Sequence, residues 1–214
     1  MNGLLLLLIS FHLLLILTPI SDGRFWWYEH LGLSWNGILH GKVWQLLSYA
    51  FLHADWFHLL VNLCMLWFVG GRVLTILGRK IFYELVITGV LAGAVLHLIT
   101  SMVMMARGYN ESYLVGISGA CFALLFALIA ISPQARMSFI PVSGKNLGLG
   151  VVIAEAMMWL MHPSLGLPVF AALGEQMVLL GGGALFEISH ACHLGGALAG
   201  WGMARRILAP IHIR

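Results

Sequence analysis

Long apolar runs constrain this chain more than any other feature of its sequence. A membrane-spanning helix needs about 20 consecutive apolar residues, and six stretches come close to that length: 3–20, 53–71, 82–104, 114–132, 147–163 and 184–204. Only 9% of the residues are charged, whereas soluble domains have about 25%. We therefore predict an all-α integral membrane protein, with one domain over residues 1–214 and six transmembrane helices.

The connections between these runs differ in character. Residues 21–52, between the first two predicted spans, contain Trp26, Trp27, Tyr28, Trp35 and Trp44. Trp and Tyr favour the membrane–water interface, so we predict an interfacial loop between helices 1 and 2. Residues 163–183 are rich in Gly and Pro, which break helices, and we interpret them as a mobile loop.

The first apolar run could instead be a signal peptide. However, it has no Lys or Arg before it and no clear small-residue cleavage site, so we interpret it as a retained helix. The absence of an Arg-rich amphipathic leader also argues against a mitochondrial protein.

Positive charges predict the orientation, because Lys and Arg are enriched in cytoplasmic loops. With the N-terminus inside, the inside loops hold Arg72, Arg79, Lys80, Arg136, Lys145, Arg205, Arg206 and Arg214, and the outside loops hold Arg24, Lys42 and Arg107. We therefore expect a multi-pass protein of a bacterial or archaeal plasma (inner) membrane with both termini in the cytoplasm. The sequence contains no run of basic residues that would indicate a nucleic-acid partner.

Polar side chains within the predicted spans are costly and tend to mark function. They form three groups: His53, His58 and Asn62; Ser118; and His190 and His193. Residues three or four apart share a helix face. With the predicted orientation, all three groups lie in the outer half of the membrane and can converge on one pocket open to the outside.

These side chains suit nucleophilic catalysis. A serine such as Ser118 becomes a nucleophile when a base takes its proton, and His193 is suitable because histidine titrates near neutrality. His58 and Asn62 can donate hydrogen bonds to an oxyanion. Glu187 lies six residues before His193 and should point elsewhere, so we expect a Ser–His dyad without a third carboxylate.

Small residues surround the candidate dyad. Gly116 and Gly119 flank Ser118, and Gly196 and Gly200 follow His193 on the same helix face. Helix backbones approach closely only where side chains are small. These glycines are therefore expected to let helices four and six make contact, although ordinary helix packing would also explain them.

Together, these motifs resemble those of the rhomboid family of intramembrane serine proteases. The family patterns H-x-x-x-N, G-x-S-G and H-x-x-G-x-x-x-G correspond to residues 58–62, 116–119 and 193–200, in the same order. The resemblance covers residues 43–203 and implies a six-helix bundle with a water-filled cavity. It also implies hydrolysis of peptide bonds in or near transmembrane segments of other membrane proteins, without a metal or organic cofactor.

The resemblance also assigns roles to individual residues. It implies that Ser118 is the nucleophile and that His193 is the general base and acid. The oxyanion hole would consist of His58, Asn62 and the Ser118 N–H. His53 and His190 are possible cavity-lining residues, and helix five with the loop after it is a candidate substrate gate.

Three further positions need an explanation. Many family members have Trp-Arg where this chain has Trp44-Gln45, and some have tyrosine at the position of Phe122. Phe122 is expected either to stack on His193 or simply to fill the core. Glu155 lies in the middle of a predicted span, and we expect it to face the bundle interior or a gate near helix five.

Four alternatives stay open at this point. Histidines 53, 58, 190 and 193 could bind a metal or haem, although no HExxH motif is present. A non-catalytic rhomboid-like chaperone is a second alternative, and a channel or transporter a third. The fourth is a specialised rhomboid subtype that processes C-terminal anchor signals.

Overall fold

The computed structural model of the protein describes residues 1–19, 23–137 and 140–209. Ile20, the end of the first predicted span, and Arg214 lie outside these residues. The described structure is mostly helical, with α1 (Asn2–Leu17), α2 (Gly23–Leu31), α3 (Trp35–Leu39), α4 (Gln45–Ser48), α5 (Trp56–Met65), α6 (Gly71–Ala106), α7 (Ser118–Ile131), α8 (Gly144–Leu160), α9 (Pro168–Met177) and α10 (His190–Leu208). Short 3₁₀ turns lie at Tyr49–Phe51, Pro163–Leu165 and Gly183–Glu187, and π-helical turns at Leu66–Gly70 and Val178–Gly182. An antiparallel hairpin of β1 (Arg136–Met137) and β2 (Ile140–Ser143) joins α7 to α8.

Each predicted span coincides with a helix, although not every such helix is long. Within the described residues, two helical stretches are long and apolar enough to cross a membrane, Trp56–Ala106 and Pro168–Glu187. The first of them reverses at Gly78, whose φ of 80° is in the left-handed region that favours glycine. Beyond this turn the chain packs back on itself, because Gly70 lies against the ring of Phe82.

Residues 168–187 contradict the predicted loop. They form α9 and the helical turns that follow it, and α9 begins at Pro168. Proline is well tolerated at the first position of a helix, because its missing N–H would have no partner there. The prolines and glycines of this region therefore start and interrupt helices rather than exclude them.

The fourth predicted span starts later than expected. Leu114 is extended and exchanges backbone hydrogen bonds of 2.9 and 3.0 Å with Leu33, and α7 begins only at Ser118. Between them, Gly116 has a φ of 106°, a conformation that side-chain-bearing residues rarely adopt. Ser118 therefore occupies the first turn of α7 instead of a mid-helix position.

The centre of the fold is a tight packing of α6, α7 and α10. A methyl group at Gly196 would overlap the carbonyl oxygen of Gly119, and one at Gly200 would overlap that of Ala123. In the second pair both residues come later in the chain than in the first, so α7 and α10 run parallel. A methyl group at Gly195 would likewise overlap the carbonyl oxygen of Ala92 on α6. Because the glycines at these positions have no side chain, the three backbones can touch.

The segment that precedes α5 is ordered by buried polar contacts. Gln45 is fully buried; its Nε2 donates to the carbonyl oxygen of Glu29 at 2.8 Å, and its Oε1 accepts from the N–H of Ser34 at 3.3 Å. The glutamine that replaces the family's arginine is thus satisfied by backbone groups. Its contacts connect α2, α3 and α4.

Candidate active site

Ser118 sits where backbone donors are available. It is the first residue of α7, and the first N–H groups of a helix have no acceptor one turn earlier. The helix dipole also makes this end favourable for negative charge. Gly116 is fixed just before it, because its N–H donates to the carbonyl oxygen of Tyr49 at 3.0 Å. An anion that formed on a group bound at Ser118 would meet the positive end of α7.

His193 lies against α7 one turn after Ser118. α10 begins at His190, after Ser189 caps it by accepting from the N–H of Cys192 at 3.3 Å. The first turn of α10 therefore carries both histidines. The His193 ring stacks on Phe122 with centroids 4.2 Å apart and planes inclined by 10°. Since Phe122 follows Ser118 by one turn, the stack brings His193 to the serine's end of α7.

His58 and Asn62 approach Ser118 from α5. Asp55 fixes the start of this helix by accepting from the N–H of His58 at 2.8 Å. A methyl group at Gly116 would lie 2.6 Å from the His58 Nε2 and 3.7 Å from the Asn62 Nδ2. Both donors therefore face the backbone just before Ser118, and the side-chain-free Gly116 leaves room for them.

The amide of Asn62 is only partly engaged. The side chain is 3% exposed, and its Oδ1 accepts a weak hydrogen bond from Cys121 Sγ at 3.6 Å. Its Nδ2 has no hydrogen-bond partner among the described residues. A buried donor without a partner is rare and calls for an explanation. A ligand oxygen beside Ser118 would provide the missing acceptor.

His53 and His190 differ in their surroundings. His53 is fully buried and meets the ring of His58 edge-on, with centroids 5.1 Å apart. His190 is 7% exposed, and its Nε2 lies 2.9 Å from the carbonyl oxygen of Leu185. His53 thus packs against His58, whereas His190 lies beside His193.

A carboxylate accompanies His193, contrary to the expectation from the sequence. Glu155 Oε2 on α8 lies 3.0 Å from His193 Nδ1 and 2.7 Å from His190 Nδ1. Glu155, which was expected to face the bundle interior or a gate near helix five, thus contacts the first turn of α10. Glu187, the carboxylate considered from the sequence, is exposed. The costly position of Glu155 within an apolar helix was the one sequence signal that could have found this contact.

The same three residues also form a group that could hold a metal ion. Within the part of the chain that the structure describes, each of Glu155, His190 and His193 offers one ligand atom, and these three atoms lie within 4.8 Å of one another. Two histidines and a carboxylate are a donor set that zinc accepts. Hydrogen bonds from both imidazoles to the carboxylate account for the same geometry.

Known proteins of one family are similar to this chain. A family model described as Rhomboid domain matches residues 40–210. Rhomboid protease GlpG of Yersinia pestis (strain Pestoides F) is 25% identical over 203 residues, which are 94% of this chain and 60% of that protein. RHOMBOID-like protein 7 of Arabidopsis thaliana is 27% identical over 176 residues, 81% of this chain and 46% of that protein.

A mouse relative is also similar over much of the chain. Presenilin-associated rhomboid-like protein, mitochondrial, of Mus musculus is 27% identical over 154 residues, 71% of this chain. The matched region spans between 34% and 60% of the length of these three relatives. The chain therefore spans only part of the length of these relatives.

Proposed function

Because this chain belongs to the rhomboid family, we propose that it is an intramembrane serine endopeptidase that hydrolyses peptide bonds in or near transmembrane segments of other membrane proteins. The chain is a membrane-embedded protein, as its family implies. Its substrates would be helices that enter the bilayer beside it. Nothing in its charge distribution favours a nucleic-acid substrate.

In the proposed reaction, Ser118 and His193 act as a dyad. The Ser118 Oγ attacks the scissile carbonyl carbon while its proton passes to His193 Nε2. His193 then gives this proton to the leaving amine nitrogen, and an acyl-enzyme remains on Ser118. Water deprotonated by His193 hydrolyses this ester and restores the serine. The observation that carries the proposal is the stack of Phe122 on His193, which holds the base against α7 one turn after Ser118.

The proposed oxyanion hole is made by Asn62, His58 and the Ser118 N–H. Asn62 Nδ2 is buried and has no partner among the residues described. It therefore needs no rearrangement before it can donate to a developing negative charge. Preorganised donors of this kind are often the largest single contribution to catalysis.

The proposed membrane arrangement follows the charge distribution of the sequence. The six helices that coincide with the predicted spans would cross the bilayer as one domain, with both termini cytoplasmic and the site open to the outer side. Exposed aromatic residues in the segment before α5, among them Phe25, Trp26 and Trp44, support its placement at the interface. The membrane would be a bacterial or archaeal plasma membrane.

Cleavage by the purified protein tests this function. Wild type, Ser118→Ala and His193→Ala, each checked for folding, are incubated in mild detergent with a single-span membrane protein substrate. We expect cleavage by wild type alone. Equal cleavage by all three proteins would indicate a contaminating protease and contradict the proposal.

A fluorophosphonate probe separates a selective protease from a binding protein. We expect it to label wild type and not Ser118→Ala, even where the chosen substrate is not cleaved. Absence of labelling together with capture of transmembrane peptides would favour a non-catalytic chaperone. Stoichiometric zinc, copper or iron in the purified protein would instead favour the metalloprotein alternative.

A further inference from the structure

The Glu155 carboxylate has no role in a two-residue mechanism, yet it contacts the proposed base. Its side chain is 16% exposed, and those of His190 and His193 are 8% and 13% exposed. A carboxylate this far from water needs strong partners. Both of its hydrogen-bonding partners are imidazoles of α10, whereas Glu155 itself belongs to α8.

The contacts of His190 define where its protons are. A carbonyl oxygen only accepts hydrogen bonds, so the 2.9 Å contact with Leu185 requires a proton on His190 Nε2. An ionised Glu155 carboxylate only accepts hydrogen bonds, so with Glu155 ionised the 2.7 Å contact places a second proton on Nδ1. A histidine that donates through both ring nitrogens is an imidazolium. His190 and Glu155 therefore form a charged pair.

The contact with Glu155 also selects the tautomer of His193. Its Nδ1 lies 3.0 Å from the same carboxylate oxygen and must donate to it. A neutral imidazole has one N–H, so the lone pair then belongs to Nε2. A lone pair on Nε2 is what removal of a proton from a serine requires. Phe122 fixes the ring plane, while Glu155 fixes the distribution of protons within it.

We propose that Glu155 is a positioning residue that holds His193 in the Nδ1–H tautomer, with His190 as its charged partner. This inference rests on the proposed function and extends the dyad to Ser118, His193 and Glu155. When the Ser118 proton moves to His193 Nε2, the new imidazolium remains bonded to the Glu155 carboxylate, which keeps its charge throughout. Among the described residues, His58 and His190 are further titratable side chains that face His193.

Kinetics of matched variants test this role. Glu155→Gln keeps the shape of the side chain but removes its charge, and Glu155→Asp keeps the charge on a shorter chain. Glu187→Gln is the control, because Glu187 is exposed on the segment before α10. The readouts are kcat and KM for a single-span substrate and the rate of Ser118 labelling by a fluorophosphonate.

We expect E155Q to lower kcat and the labelling rate by at least about 100-fold, with KM changed by less than about threefold, since loss of the correct tautomer impairs proton transfer rather than binding. E155D should recover to within about tenfold of wild type, and E187Q should match wild type. An E155Q protein with the same kcat as E187Q would overturn the inference while leaving the proposed function intact.

The ¹⁵N spectrum of histidine-labelled protein tests the tautomer without any substrate. Signals of His190 and His193 are assigned by their loss in His190→Gln and His193→Gln. We expect His193 to carry its proton on Nδ1 and His190 to carry a proton on each ring nitrogen. A wild-type His193 protonated on Nε2 would overturn the inference. This spectrum decides the question if E155Q does not fold, or if wild type neither cleaves nor reacts with the probe.

Discussion

Phe122 and His193 are stacked almost face to face, with ring planes inclined by only 10°. One residue belongs to α7 and the other to α10, so the contact connects the helix of the proposed nucleophile with the helix of the proposed base. The hydroxyl that some relatives have at this position is absent from phenylalanine. The ring face, which makes the contact, is retained.

Replacing Phe122 by Leu should therefore reduce proteolysis with little loss of binding. Aromatic pairs contribute about 0.5–1.5 kcal/mol beyond simple burial, so kcat should fall by about 2- to 10-fold. Phe122→Tyr, which keeps the ring face, is the matched control and should retain wild-type kcat. Slower turnover by the Tyr variant than by the Leu variant would contradict a stacking role.

Gly196→Ala should destabilise the protein by about 1–3 kcal/mol, because the added methyl group would overlap the Gly119 carbonyl and force α7 and α10 apart. Thermal unfolding in detergent measures the effect. Gly202→Ala is the control on the same helix, since nothing lies within 4 Å of a methyl group there. Equal unfolding temperatures for the two variants would show that the close approach is not needed.

Asn62→Leu should lower kcat by about 10²- to 10³-fold, the usual effect of removing one oxyanion donor. Stability should change little, because Asn62 Nδ2 has no partner within the described residues. Cleavage rates and unfolding temperatures are measured together. Cys121→Ala, which removes the weak contacts to the Oδ1 and the carbonyl oxygen of Asn62, serves as control and should keep its activity. A large drop in stability with unchanged kcat would instead assign Asn62 to helix packing.

Gln45→Ala should destabilise the segment that precedes α5. It leaves the buried Ser34 N–H without its partner and removes one of two donors to the Glu29 carbonyl oxygen, which also accepts from Lys42 Nζ at 3.2 Å. An unsatisfied buried group costs about 1–3 kcal/mol. Thermal unfolding tests this expectation. Leu47→Ala is the control in the same helix, because Leu47 is 47% exposed. If both variants unfold at the same temperature, Gln45 does not hold this segment together.

The limits of the sequence are clearest at residues 168–187 and at Ser118. Proline and glycine predicted a break within residues 168–187, but a proline also fits the first turn of a helix. Apolar character continues across residues 114–117, so hydropathy alone did not reveal that α7 begins at Ser118. Only the pairing of Leu114 with Leu33, which brings distant parts of the chain together, sets that boundary.

The sequence by itself determined the apolar spans, the order of the three motifs and the family of the chain, because these depend on local composition and short spacings. The tertiary structure alone decided which groups meet the histidines. Glu155 lies 35 residues before His190 and 38 before His193, and no helical period relates positions so far apart. Their contact depends on how α8 packs against α10. The glycines of α7 and α10 make a close approach possible, but the partner that an interior carboxylate finds is set by the geometry of the whole bundle.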